Sequence, residues 1–191
     1  MNSLLEKVIE NPIIHAKWLN ALSYLENCGA RKIASYEHPS LVKEEILKHA
    51  AEEFRHAFYL KKQLKNLIKI EDYRPHSLLG GWSAYHFLHQ LELRTCQYLK
   101  QIGLKSLAYP IITYAIELRA HSLYTSYDRI LKRYRSPIHV KSILLEEENH
   151  LKEMELQLQD IDSTHVNHIC KIEESLFNKW IEDCFKEISI K

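Results

Sequence analysis

Glycine and proline are scarce in this chain, four and five among 191 residues. An all-β fold needs many turns, and turns draw on these two residues, so their scarcity argues against one. The four cysteines, Cys28, Cys96, Cys170 and Cys184, form no Cys-x-x-Cys pair. A rubredoxin-like iron site and a zinc ribbon are therefore absent. No excess of one charge is present either: the formal charge is +1, with no global bias toward nucleic acid or anionic membrane. No apolar run approaches the length of a membrane span, and none near the N-terminus suits a signal peptide. These absences predict a cytoplasmic protein with reduced thiols and no membrane partner.

What is present is 46% apolar and 27% charged residues in long periodic segments with few breakers, the pattern of an all-α globular chain. The length suits a single domain over 1–191. Six helices are predicted. The first runs from about Pro12 to Ser35, with Ile13, Ile14, Trp18, Leu19, Leu22 and Leu25 at helical spacing. A turn at Tyr36-Glu37-His38-Pro39-Ser40 follows, with Ser40 as N-cap of a second helix reaching about Ile68. The apolar stripe of that helix is Leu41, Ile46, Ala50, Phe54, Ala57, Leu60 and Leu64. Glu71-Asp72-Tyr73-Arg74-Pro75-His76 and Gly80-Gly81 mark a crossover loop, and a third helix spans Trp82 to Ile102, ending at Gly103.

Pro110 suits the first residue of a fourth helix that fades between Leu131 and Tyr134. Ser136-Pro137 reads as the start of a fifth, ending near Asp160. Asp162-Ser163-Thr164 opens a sixth, with Leu176, Phe177, Trp180 and Phe185 as its stripe. The first two helices make one hairpin, and the fourth and fifth another. A long crossover that carries the third joins them, over a bundle core at 12–160 with a C-terminal helix at 163–189. That order is the ferritin-like version of the four-helix bundle.

Two tetrapeptides stand out in this frame: Glu53-Phe54-Arg55-His56 and Glu147-Glu148-Asn149-His150. Each follows a lone glutamate about thirty residues earlier, Glu26 and Glu117. Random placement of the chain's glutamates and histidines would give roughly one Glu-x-x-His, so the tetrapeptides alone prove little. The repeated order carries more weight. Residues i and i+3 lie about 60° apart on a helix and about 4.5 Å apart along it, so each Glu/His pair points one way. Four carboxylates and two imidazoles on four helices can cage a pair of metal ions. Oxygen and nitrogen ligands with open positions suit iron or manganese. The alternative is structural: an inward glutamate paired with Arg or Lys, and a core histidine that is merely hydrogen-bonded. Four acids converging unpaired would be prohibitively costly without cations.

The levels of these acids pose a constraint. Glu117 lies 20 residues before Pro137 and Glu147 only 10 after it, so they meet only if the fourth helix stops early, near Leu131.

The pattern Glu26, Glu53-x-x-His56, Glu117, Glu147-x-x-His150 resembles the ferritin-like di-iron carboxylate superfamily. The likeness is closest to single-domain oxygenase-type members such as the aldehyde-deformylating oxygenases and the tRNA hydroxylases. The resemblance implies two iron ions (manganese being the other option), with Glu53 and Glu147 as bridges and Glu26, His56, Glu117 and His150 as terminal ligands. It implies an oxidase or oxygenase that activates O₂ for a small organic substrate, with electrons from an external donor, since no flavin, nicotinamide or iron–sulfur motif is visible. The alternative is iron or peroxide handling like that of a ferritin or rubrerythrin. A homodimer is compatible with either.

Several neighbours are assigned blander roles. His49 and His121 can face the same core, where the arylamine-oxygenase branch would make either an extra ligand, but both are read as polar pocket-wall or surface residues. Glu92 is the reserve ligand, read as solvated. Tyr59, Tyr114 and Tyr124 are read as core tyrosines, and Gly29 and Ala30 as small residues that allow close packing. The basic stretches Lys61, Lys62, Lys65, Lys69 and Lys132, Arg133, Arg135 are read as solvated helix ends, which disfavours a tRNA substrate.

Overall fold

The computed structural model describes residues 1–36, 38, 40–41, 43–69 and 77–189. The predicted turn residues Glu37 and Pro39 and the crossover segment 71–76 lie outside them. Among the described residues the fold is an all-α bundle of seven helices: α1 (Asn2–Glu10), α2 (Pro12–Ser35), α3 (Glu44–Gln63), α4 (Gly81–Gln101), α5 (Ala108–Arg133), α6 (Lys141–Leu158) and α7 (Ser163–Ser189). Short 3₁₀ turns follow α3 at Leu64–Asn66 and precede α5 at Lys105–Leu107. Among the described residues, no helix is long and apolar enough to cross a membrane.

α2 and α3 form one closely packed hairpin and α5 and α6 a second, while α4 pairs with α7. The register of α3 against α6 is antiparallel, held by Lys48–Glu153, Arg55–Glu146 and a two-way link between the Gln63 side chain and the His139 backbone. α2 and α5 are also antiparallel. His15 meets Tyr127 near one end, Tyr124 donates to Glu26 in the middle, and the Tyr36 ring packs on Tyr109 at the other end. Two apolar cores result. One gathers around Trp18, Tyr127 and Trp180, the other around Leu91, Ile111 and Ile169. Along α5 they divide at Glu117, with Leu123 to Leu131 in the first and Ala108 to Ala115 in the second.

α2 and the third predicted helix lie where the sequence puts them, but several boundaries differ. Asn2–Glu10 is a helix of its own, burying Leu4, Leu5 and Val8. Its nine residues give too short a periodic signal to stand out. Asn11 separates it from α2, its Oδ1 accepting from the amides of Ile13 (3.0 Å) and Ile14 (3.2 Å), with Pro12 next in the first turn. Ser40 is not the N-cap of α3, which starts at Glu44 after Lys43. Leu41 and Phe54, expected on its apolar stripe, are exposed. α5 begins at Ala108, so Pro110 is its third residue rather than its first.

Ser136-Pro137 does not open α6, which begins at Lys141. α5 ends within the expected Leu131–Tyr134 range, but past the stop near Leu131 that the acid levels called for. It continues to Arg133 and closes with Arg135 at φ 51°, the Arg135 amide bonded to the Lys132 carbonyl and the Ser136 amide to that of Leu131. The level constraint is met by the connection instead. From Glu117 to the end of α5 is about 24 Å of helix, and from the start of α6 to Glu147 about 9 Å. Non-helical residues 136–140, at up to about 3.3 Å each, cover the difference. Buried Ile138 and Val140 hold that segment against the bundle.

α4 is tied to α7 at a tight corner. Gly80 has φ 78°, and a Cβ there would stand 2.5 Å from Trp180 Cδ1 and 3.0 Å from Cys184 Sγ. Trp180 cannot retreat, because it stacks on Trp18 at 5.2 Å and donates to the Leu79 carbonyl at 2.9 Å. Gly80→Ala is expected to cost about 2–5 kcal/mol, combining left-handed backbone strain with overpacking. Gly103 has φ 76° with open space around it. Gly103→Ala therefore carries the backbone part alone, about 1–2 kcal/mol. Urea unfolding of both checks this, and equal losses would remove the Trp180 contact from the explanation.

Candidate metal centre

The antiparallel register of α3 and α6 brings the two Glu-x-x-His segments face to face, and α2 and α5 supply Glu26 and Glu117. All six candidates lie in one interior cluster, with Glu53, His56, Glu117, Glu147 and His150 at 5% exposure or less and Glu26 half-buried. Among the described residues two ligand-like groups form, each with its donor atoms within 4.8 Å of one another. One is His49, Glu53, Glu117 and His150; the other is Glu26, Glu53, His56 and Glu147. Glu53 belongs to both. Glu147 falls on the Glu26 side, its Oε1 at 3.2 Å from His56 Nδ1. The α6 pair is thus divided between the groups rather than sharing one.

His49 corrects the sequence reading. It is 4% exposed and belongs to the cluster, its Nε2 at 3.0 Å from Glu117 Oε1 and 3.6 Å from Glu53 Oε1. Its i−4 relation to Glu53 was visible, but that spacing alone does not separate an inward histidine from a wall residue. His121 is half-buried and outside both groups. Glu92 is outside them too, but not simply solvated: it pairs with Lys32 and accepts from the Tyr36 hydroxyl at 3.4 Å.

Sequence reasoning also missed Glu52 and Glu146. His150 Nε2 lies 2.9 Å from Glu52 Oε2, and His56 Nε2 lies 2.8 Å from Glu146 Oε2. Each carboxylate comes from the helix opposite its histidine. The signal was present as Glu-Glu-x-x-His in both copies, but only the antiparallel register makes the exchange reciprocal. These contacts place the N–H on Nε2 and turn Nδ1 of both rings into the cluster, the arrangement that orients metal-ligating histidines.

The interior is left unsatisfied by protein alone. Among the described residues seven buried side-chain polar atoms lack a hydrogen-bond partner. Five of them are Glu53 Oε1, His56 Nδ1, Glu117 Oε2, Glu147 Oε1 and His150 Nδ1. Orphans of this kind are rare and costly singly, and a convergence of carboxylate oxygens and imidazole nitrogens fits cations. Without cations, protons do the balancing. Burial and the neighbouring Glu53 push the Glu26 carboxyl well above its usual range, and burial with Glu117 and Glu53 does the same to Glu147. Burial opposes charge on Glu53 and Glu117, yet the adjacent imidazoles of His150 and His49 hold Glu53 well below its usual range and Glu117 at about 2. Burial likewise opposes charge on the histidines. Their carboxylate partners outweigh it, raising His49 to about 9, His150 to about 11 and His56 to about 12.

A cavity of about 90 Å³ adjoins the cluster between α2, α4, α5 and α7. Glu26, Glu53 and Glu117 form its polar wall on the cluster side, and Leu25, Phe87, Leu88, Ile112, Ile116 and Phe177 its apolar walls. Tyr124, fully inside the bundle, lines it as well and holds Glu26 through its hydroxyl.

The buried histidine and glutamate groups could hold metal ions, and the all-helical fold is compatible with a ferritin-like di-iron fold. No family model, curated protein or solved structure matches the chain.

Proposed function

We propose that the chain is a non-haem di-iron oxidase or oxygenase that uses O₂ to oxidise an organic substrate. The observation that carries this reading is the apolar cavity whose wall includes Glu26, Glu53 and Glu117. A pair of cations there would sit at the edge of a water-poor space with room for an organic molecule. Four carboxylates would balance two divalent ions in charge, and oxygen and nitrogen donors suit iron, with manganese as the other candidate. When bound, an iron pair would supply the electron chemistry that O₂ activation needs.

The chain's own residues account for the rest. Glu52 and Glu146 orient His150 and His56 from the opposite helices. Glu26, the least buried of the four acids, faces the cavity and is steadied by Tyr124. The aliphatic and aromatic walls exclude water and fix the substrate's approach. Electrons would come from a separate donor. Iron storage or peroxide turnover is the competing use of such a centre, and neither requires a cavity that fits an organic molecule.

The test begins with metal analysis of protein purified without added metal. About two iron ions per chain are expected. The chemically reduced protein should then consume O₂ and end with oxidised iron and no mineral core. Uptake of hundreds of iron atoms per assembly would show storage instead. Fast peroxide turnover without an oxidised organic product would show a peroxidase, and a chain that takes up no metal ends the reading.

A further inference from the structure

The outer face of α3 carries an apolar stripe. Leu47, Ala51, Phe54 and Phe58 are all exposed. At about 100° per residue they fall within about 60° of one another, on the face turned away from His49, Glu53 and His56. The groove beside Phe54 and Phe58 is lined from α2 and α4 by Tyr24 and Tyr85, whose rings stack at 5.5 Å. Trp82 extends the patch, 5.8 Å from the Tyr85 ring. Phe54, Phe58, Trp82 and Tyr85 are between 45% and 75% exposed. At about 150–250 Å² per aromatic side chain, they bare about 500 Å² together. That is near the upper end for an apolar patch on a monomer. It is also about 60% of the roughly 800 Å² that each partner buries in a stable dimer, close to the apolar share of homodimer interfaces.

The stripe matches itself. Its spacing of four, three and four residues reads the same in both directions. A second α3 laid antiparallel on the first therefore sets Leu47 against Phe58 and Ala51 against Phe54, a smaller residue beside a larger one each time. A two-fold interface requires this kind of self-matching. Charge agrees with it. Glu44 in the first turn of α3 and Lys62 in the last lie on the same side of the stripe, about 60° from Leu47. Antiparallel pairing brings Glu44 of each copy beside Lys62 of the other, at levels about 1.5 Å apart. Parallel pairing would set like against like. Lys48 and Arg55, further along that side, are already engaged by Glu153 and Glu146.

We propose that this face is a two-fold interface between copies of the chain, with α3 packed antiparallel on α3 of the second copy. The pairing needs no metal and stands apart from the oxygenase reading.

The experiment measures the mass of the full chain by sedimentation velocity and light scattering. Interfaces of this size hold with micromolar to picomolar affinity. At about 100 µM chain the mass should therefore be twice 22.7 kDa. Phe58→Glu and Leu47→Glu should each give a monomer, with far-UV circular dichroism and the urea midpoint unchanged, because both side chains are exposed. Glu44→Lys and Lys62→Glu should each weaken self-association at least tenfold. The two together restore opposite charges across the axis and should regain most of the loss. A monomeric wild-type chain at this concentration overturns the proposal, and so does a dimer that survives Phe58→Glu and Leu47→Glu. A double charge variant no better than the single ones overturns the antiparallel pairing. A monomer that binds neutral lipid vesicles, and loses that binding in Phe58→Glu, would give the face to a lipid surface instead.

Discussion

Replacing His56 or His150 by alanine is expected to lower bound metal from about two ions per chain to fewer than one, while Glu92→Ala leaves metal content unchanged. Each histidine turns an unpartnered Nδ1 into the cluster, and its removal strands the carboxylates around it. The neighbouring acids separate ligation from orientation. Glu52→Gln and Glu146→Gln keep a side chain beside each Nε2 but weaken its hold on the ring. Affinity should fall about 10–100-fold, with full loading restored by excess metal. His49→Ala should weaken the group it shares with Glu53, Glu117 and His150 and spare the other.

Loading must also depend on pH. His49, His56 and His150 hold protons in the metal-free chain up to about pH 9, 12 and 11, and Glu26 and Glu147 have raised values. A cation can enter only as protons leave, so affinity rises with pH, and loading an unbuffered sample acidifies it. Elemental analysis and a pH electrode suffice for these measurements. Unchanged metal content in both histidine variants would make the cluster a purely structural ion-pair network.

Arg119→Met is expected to destabilise the fold by about 3–5 kcal/mol at neutral pH, the cost of leaving a buried charge without its partner. Glu173 on α7 is 3% exposed and gripped by the Arg119 guanidinium, which lies 4.2 Å from the centre of the Phe177 ring. Burial already raises the Glu173 carboxyl against the pull of Arg119. Without the arginine its folded-state pKa climbs further above the unfolded value of about 4.3. A carboxyl raised on folding binds its proton more tightly in the native state, so the penalty is absent below the unfolded value. It grows as pH rises from there toward the folded value. The loss should therefore be small near pH 4 and full at pH 8. Adding Glu173→Met should recover most of it, because an apolar pair of similar volume replaces the ions. Urea unfolding at the two pH values decides the matter, and a loss that does not change with pH would mean that lost packing, not the stranded charge, is the cause.

What the amino-acid order determined alone is what repeats at short range. The apolar period and the Pro12 start placed α2 from Pro12 to Ser35, and the scarcity of turn residues made the chain helical. The i,i+3 spacing put Glu53 with His56 and Glu147 with His150 on common faces, which a single helix is enough to define. Only the tertiary structure decided what depends on how one helix is rotated and shifted against another. That rotation draws His49 inward, exposes Phe54 and joins Glu52 to His150 and Glu146 to His56. Residues 136–140 settle the level of Glu147 against Glu117 by running non-helically, a choice no periodicity announces. The cavity is the furthest from sequence, because its walls come from five helices and its volume is what their packing leaves unfilled.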